Sequence, residues 1–149
     1  MAEEQTDPDL EAVERANAAF YAAFESGDMD AMQDLWVSEG HAVCIHPGWN
    51  PVVGAAAVRR SWAVVMANTP YIQFILTDVQ VTVTGESGAV ASVTCTENVL
   101  AAANGEMEPG FSGGKAVSTN VFLRQHGDWR LWIHHASPVL SKPGADKGE

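Results

Sequence analysis

Basic residues are scarce in this sequence: eight lysines and arginines stand against nineteen aspartates and glutamates, for a net charge of −11. A surface of that sign repels phosphate backbones and anionic headgroups, so neither nucleic acid nor a membrane surface is expected as a partner. The imbalance is local. Residues 1–39 hold most of the acids beside a single base, Arg15, and the remainder of the chain is close to neutral. Solubility is the ordinary reason for such a charged stretch. Cysteine is almost missing, with only Cys44 and Cys95, each beside apolar residues as in a strand interior. That excludes a secreted disulfide framework and predicts two reduced, buried thiols. No apolar run reaches membrane length unbroken. The uncharged stretch 40–58 is interrupted by Pro47, Gly48, Asn50, Pro51 and Gly54 and carries two histidines. The opening MAEEQTDPDLE has neither the basic nor the apolar region of a signal peptide, so a cytoplasmic location is expected. Phosphate-loop, dinucleotide and Cys-x-x-Cys patterns are all missing.

What remains, 149 residues with 46% hydrophobic content, is enough for one domain with a core and an internal pocket. A single domain over 1–149 is expected, with its core over about residues 9–139 and frayed ends up to Thr6 and from Ser141. Asp7-Pro8 marks a helix start, and Leu10, Val13, Phe20 and Phe24 follow at helical spacing until Gly27. Asp28 can cap a second, shorter helix carrying Met29, Met32, Leu35 and Trp36. A short strand over 41–46, a turn-rich loop over 47–51 and a third helix over 54–68 come next.

Beyond Pro70 the period changes from helical to alternating, predicting strands over about 71–84, 89–101, 115–125 and 129–136. The connections are read as turns at Gly85–Gly88, Asn104–Gly114 and His126–Asp128; the short ones imply antiparallel hairpins. Valines and tryptophans occur in both phases, so both faces of the sheet should be covered. Three helices cover one face. Nothing else in the chain is left to cover the other, and a homodimer through the sheet is the expectation.

Several separated segments carry a family resemblance: Phe20-Tyr21-Ala22-Ala23-Phe24 with Gly27-Asp28, Asp34-Leu35-Trp36, His46-Pro47-Gly48-Trp49 with Gly54, and Gly127-Asp128-Trp129-Arg130-Leu131-Trp132-Ile133-His134-His135. Together, over about residues 9–139, they resemble the SnoaL-like branch of the nuclear transport factor 2-like superfamily. The last segment is also similar to the closing strand of the calcium/calmodulin-dependent kinase II association domain. The resemblance implies an α+β cone: three N-terminal helices packed on a strongly curved, mixed, mostly antiparallel sheet, with a pocket at the open end. It does not imply one function, because the superfamily includes isomerases, cyclases, dehydratases and epoxide hydrolases beside non-catalytic transport and association modules.

Glu97 is the foremost catalytic candidate. One phase of its strand reads Ala91, Val93, Cys95, Glu97, Val99 and the other Ser92, Thr94, Thr96, Asn98, so a carboxylate falls on the apolar phase. In a pocket, desolvation would raise its pKa toward the range useful for proton transfer; a structural partner such as an arginine is the alternative. His134 and His135 are adjacent and point to opposite faces, so at most one reaches a cavity. Phase alone leaves the choice open, placing Trp132 with His134 and Leu131 and Ile133 with His135. By the resemblance, His134 and Trp132 are preferred for the pocket and His135 for an intersubunit face. Trp36, Trp49 and Trp62, with Tyr71 and Phe74, are candidate walls for a small apolar ligand. His46 completes the candidate ligand-binding set. Asn98 and Asn120 are candidates to bond a ligand carbonyl, or a backbone group at a bulge. His41 and His46 diverge on a strand, and no histidine pair has ligating spacing, so no metal is expected, a cluster of Glu97, His46 and one later histidine being the alternative; no cofactor is expected either. The isomerase's carboxylate and tyrosine set and the epoxide hydrolase's Asp-Arg-Asp set are not placed. Two functions stay open: binding of a small apolar or carbonyl-containing molecule with proton transfer through Glu97, or a non-catalytic association module with a vestigial pocket.

Overall fold

A computed structural model describes residues 7–38, 40–85, 88–102 and 112–140. Helix α1 (Pro8–Ser26) starts where Asp7 Oδ1 accepts the Asp9 N–H at 2.9 Å and stops at Gly27, whose φ of 68° suits glycine and closes the last turn. Its buried stripe is Val13, Asn17, Phe20, Tyr21 and Ala23, so two polar side chains enter the core with the apolar ones. Asp28 caps α2 (Met29–Leu35) through the Ala31 N–H. Strands β1 (Val43–Ile45) and β2 (Val52–Val53) flank the proline-rich loop and precede α3 (Ala55–Ala67). Two residues are too few to leave an alternating pattern, and β2 was not expected. Four longer strands follow: β3 (Tyr71–Thr84), β4 (Val90–Ala102), β5 (Ser112–Gln125) and β6 (Asp128–Pro138).

The six strands run in the order β2-β1-β6-β5-β4-β3. All neighbours are antiparallel except β1 and β6, which are parallel. The sheet is mixed, curled and open, and the expected α+β architecture with three helices is what the chain adopts. His126 and Gly127, with φ of 52° and 86°, form the two-residue β5–β6 turn, the left-handed pair that a tight hairpin demands. Residues 86–87 of the Gly85–Gly88 turn, most of the Asn104–Gly114 connection and the termini expected to fray lie outside the described residues. On the β3 edge, Glu25 Oε2 accepts the Phe74 N–H at 2.8 Å, so α1 covers a donor that would otherwise invite another strand.

Helices and the inner sheet face enclose one core, in which Phe20, Trp62, Met32, Phe122, Leu131 and Val93 are fully buried. Both cysteines are free thiols and buried. The outer face keeps apolar side chains exposed, among them Ile75 (67%), Leu100 and Val117. No helix of the described residues is long and apolar enough to cross a membrane.

Two bulges interrupt the ladders. One, between Thr77 and Gln80, places Asp78 at φ 55°. The other inserts Trp132 into β6, because Val121 pairs with Ile133 while Phe122 pairs with Leu131. An extra residue shifts the phase. Trp129 and Leu131 are buried before the bulge, and His134 and Ala136 after it. The uninterrupted alternation that put Trp132 on the face of His134 is thereby corrected: Leu131 and His134 point inward together.

Candidate functional site

The alternation of β4 is unbroken through Ala91, Val93, Cys95 and Glu97, and all four are buried. Glu97 retains 5% of its surface. Its partner is not an arginine. The two described ion pairs are Arg124 with Asp9 and Arg130 with Asp128, both away from it. Instead, Tyr21 of α1 donates its hydroxyl to Glu97 Oε2 at 2.5 Å. Because that proton is committed, Ser118 Oγ, 2.9 Å away, and Asn120 Nδ2, at 3.3 Å, serve as donors to the tyrosine oxygen. Burial raises the Glu97 carboxyl above its ordinary 4.5, and the hydrogen bond from Tyr21 pulls it part of the way back. Burial, then the neighbouring carboxylate, pushes the Tyr21 phenol upward, which keeps it protonated as a donor.

His134, 3% exposed, is held by the next layer of the same network. Its Nδ1 lies 2.5 Å from Asn120 Oδ1, and Asn120 Nδ2 donates to Asn17 Oδ1 at 2.8 Å. Burial lowers the imidazole from 6.5 to about 3, with the neighbouring His46 and His135 adding to the shift, so His134 is neutral at ordinary pH. His46 is likewise pushed down to about 4 by burial. Its Nε2 lies 2.9 Å from Ser61 Oγ, whose own hydrogen goes to the Val58 carbonyl at 2.7 Å. Ser61 therefore accepts, and His46 carries its proton on Nε2.

Glu97, Tyr21, His46 and His134 line one cavity of about 420 Å³. Its walls are mainly aromatic and aliphatic, with Phe20, Phe24, Trp62, Phe74, Val65, Ile72 and Val99, and exposed Lys115 is the one cationic residue among the described residues of the lining. Trp49, 42% exposed and packed on the His46 ring at 4.7 Å between centroids, stands at its rim. That volume lies within the range of sites for small molecules, and the few polar groups converge on one side of an apolar space. Chemically, a carboxyl with raised pKa and a neutral imidazole facing the same hollow form a proton donor and acceptor pair.

Of the residues singled out from sequence, Glu97, His134, His46, Trp49 and Trp62 thus come together. Trp36 does not. It ends α2, bridges to Leu131 and lines a separate cleft of about 210 Å³ with Met29, Met32, Arg59 and Arg130; Trp62 is the wall common to both hollows. Trp132, displaced by its bulge, packs against the core outside the cavity lining. Asn120 is fully buried behind His134, not on the lining. Asn98 bonds the Ile75 carbonyl and Thr77, and Tyr71 donates to Gln73; both are on the outer phase. Sequence reading missed Tyr21, Ser118 and Asn17. Two signals existed: Asn17 and Tyr21 interrupt the apolar stripe of α1, and Ser118 and Asn120 share the inner phase of β5 with Ala116 and Phe122.

Comparison with known proteins gives a consistent result. A provisionally named dehydratase of the nuclear transport factor 2-like family from Streptomyces avermitilis superimposes with a TM-score of 0.80 at 44% identity, over 91% of this chain and 100% of that one. A structure provisionally named a calcium/calmodulin-dependent protein kinase type II association domain, from Thiobacillus denitrificans, gives 0.71 at 29% identity, over 85% and 94%. A ketosteroid isomerase-like protein from Erwinia carotovora atroseptica gives 0.75 at 15% identity, over 91% and 100%, a likeness of fold alone. No curated protein matches. The SnoaL-like domain pattern matches residues 13–141, from the middle of α1 past the end of β6, and on that span the chain belongs to the SnoaL-like family.

Proposed function

We propose that this SnoaL-like protein binds a small, largely apolar, uncharged molecule and transfers protons on it, in an isomerisation, dehydration or cyclisation. Glu97 carries the proton, and neutral His134 is the complementary acceptor. One observation carries the reading: a carboxyl without a cationic partner among the described residues opens onto an apolar cavity of about 420 Å³ beside a neutral imidazole. A merely structural carboxyl has no need of that void. The likeness to a provisionally named dehydratase at 44% identity supports the same class. Trp49 and Trp62 supply apolar contact, and His46 orients the ligand. The test is a thermal-shift screen of apolar cyclic ketones and alcohols on wild type and Glu97→Gln, followed by proton-exchange measurements on any binder. Binding that changes with the substitution, together with exchange that stops, supports the reading. A ligand bound equally by both proteins, with exchange undiminished, refutes it.

A second copy on the outer sheet face is the proposed partner. Ile75, Leu100 and Val117 give that face an apolar character that a monomer would leave in water, and the 29% identical relative is named for association. Should the cavity bind nothing, association would be the function left, with the pocket vestigial. Sedimentation of wild type and Val117→Lys distinguishes a dimer through this face from a monomer.

A further inference from the structure

Around the polar end of the cavity, the hydrogens of Tyr21 and His46 and of the groups behind them are committed to the protein itself, while the N–H groups of Trp49, Trp62 and Lys115 on the lining are not committed to any described residue. Tyr21 gives its proton to Glu97 Oε2, and Ser118 and Asn120 direct theirs at Tyr21. His46 gives Nε2–H to Ser61, which gives its own hydrogen to the Val58 carbonyl. The orientation of Asn120 is set from behind. Asn17 Oδ1 accepts from the Asn120 amide nitrogen, so the Asn120 oxygen must face His134, and an oxygen there can only receive Nδ1–H. His134 Nε2 is then a bare lone pair. Among the described residues it has no hydrogen-bond partner, and it is not one of their buried unpartnered atoms, which are the indole nitrogens of Trp36 and Trp62, so it remains reachable from the cavity.

We infer that the cavity selects an uncharged ring compound bearing a hydroxyl group, which donates its hydrogen to His134 Nε2, and that Asn17 and Asn120 are positioning residues holding His134 in the tautomer this requires. The inference rests on the proposed function of the same cavity and narrows its substrate class from carbonyl-containing or apolar molecules in general to hydroxyl donors. An ether of the same shape places a second acceptor against Nε2 and gains nothing there, while a buried acceptor without a donor is costly.

Two measurements test this, and the first needs no ligand. Imidazole nitrogen chemical shifts of the unliganded wild type should show His134 as the Nδ1–H tautomer. Asn120→Leu and Asn17→Leu should give a mixture, and Asn120→Asp, which keeps the acceptor, should restore Nδ1–H. The second is calorimetric titration with naphthol and with its methyl ether, methoxynaphthalene. Wild type should prefer naphthol by about tenfold, the equivalent of one hydrogen bond, and the preference should shrink to about twofold or less in both leucine variants and return in Asn120→Asp. An Nε2–H tautomer in wild type overturns the inference, whatever the variants do. Equal affinity of wild type for the two probes overturns it while leaving the cavity a ligand site. Binding of neither probe overturns it together with the proposed function.

Discussion

Replacing His134 by phenylalanine keeps a ring in the same place and removes an imidazole held far below its ordinary pKa by burial. His134 titrates at about 3 in the fold and at 6.5 when unrestrained, so between those values the unfolded chain binds a proton that the native chain refuses. The sign follows. The contribution of the neutral imidazole is fully present above about pH 6.5 and is lost as pH falls toward 3, at roughly 1.4 kcal/mol per pH unit. From about pH 7 to pH 4 the loss due to His134 comes to roughly 3 kcal/mol. His46, displaced to about 4, acts in the same direction, while Glu97, raised by burial, acts in the opposite one because protonation favours its folded form. Both are common to wild type and variant. Urea unfolding followed by tryptophan fluorescence across this range should therefore show His134→Phe losing less stability on acidification than wild type, by about 3 kcal/mol at the acid end. The variant will start lower at neutral pH, since Asn120 Oδ1 loses its donor at a cost of about 1–3 kcal/mol. Parallel pH profiles for the two proteins would refute the burial of a neutral imidazole at this position.

Tyr21→Phe removes the hydrogen bond that favours ionised Glu97, so the carboxyl should titrate higher still, a rise readable from its carbon chemical shift. Phe122→Ala, at a fully buried inner position of β5, should destabilise by about 3–5 kcal/mol in the same urea assay, whereas the outer-phase Val117→Ala should cost about 1 kcal/mol or less. Trp49→Ala, at the half-exposed rim, should leave the unfolding midpoint within a few degrees of wild type and weaken any cavity ligand, measured by calorimetry.

How far this site was legible in the sequence depends on whether the signal was local. The helix starts at Asp7-Pro8 and Asp28 and the stop at Gly27 are short-range chemistry and were readable. Glu97 was readable because β4 alternates without a bulge up to that position. Trp132 and His134 were not separable, since a bulge in β6 depends on its pairing with β5 and leaves no mark in the composition. Trp36 was assigned by residue type to the open end, although its bridge to Leu131 places it at the other cleft. The bond of Tyr21 to Glu97 joins residues 76 apart, a distance that only the packing of α1 on the sheet closes. Tyr21 and Asn17 could still have been suspected, because each sits on the buried stripe of an otherwise apolar helix face.

The most direct measurement is the titration of Glu97 itself, followed by the side-chain carboxyl carbon shift, with Glu97→Gln identifying the resonance. The expected result is a midpoint clearly above the ordinary 4.5, because burial in the cavity outweighs the hydrogen bond from Tyr21. A midpoint at or below 4.5 would contradict the proposal, since a carboxyl that stays ionised like one in water is neither desolvated nor poised to exchange a proton with a ligand.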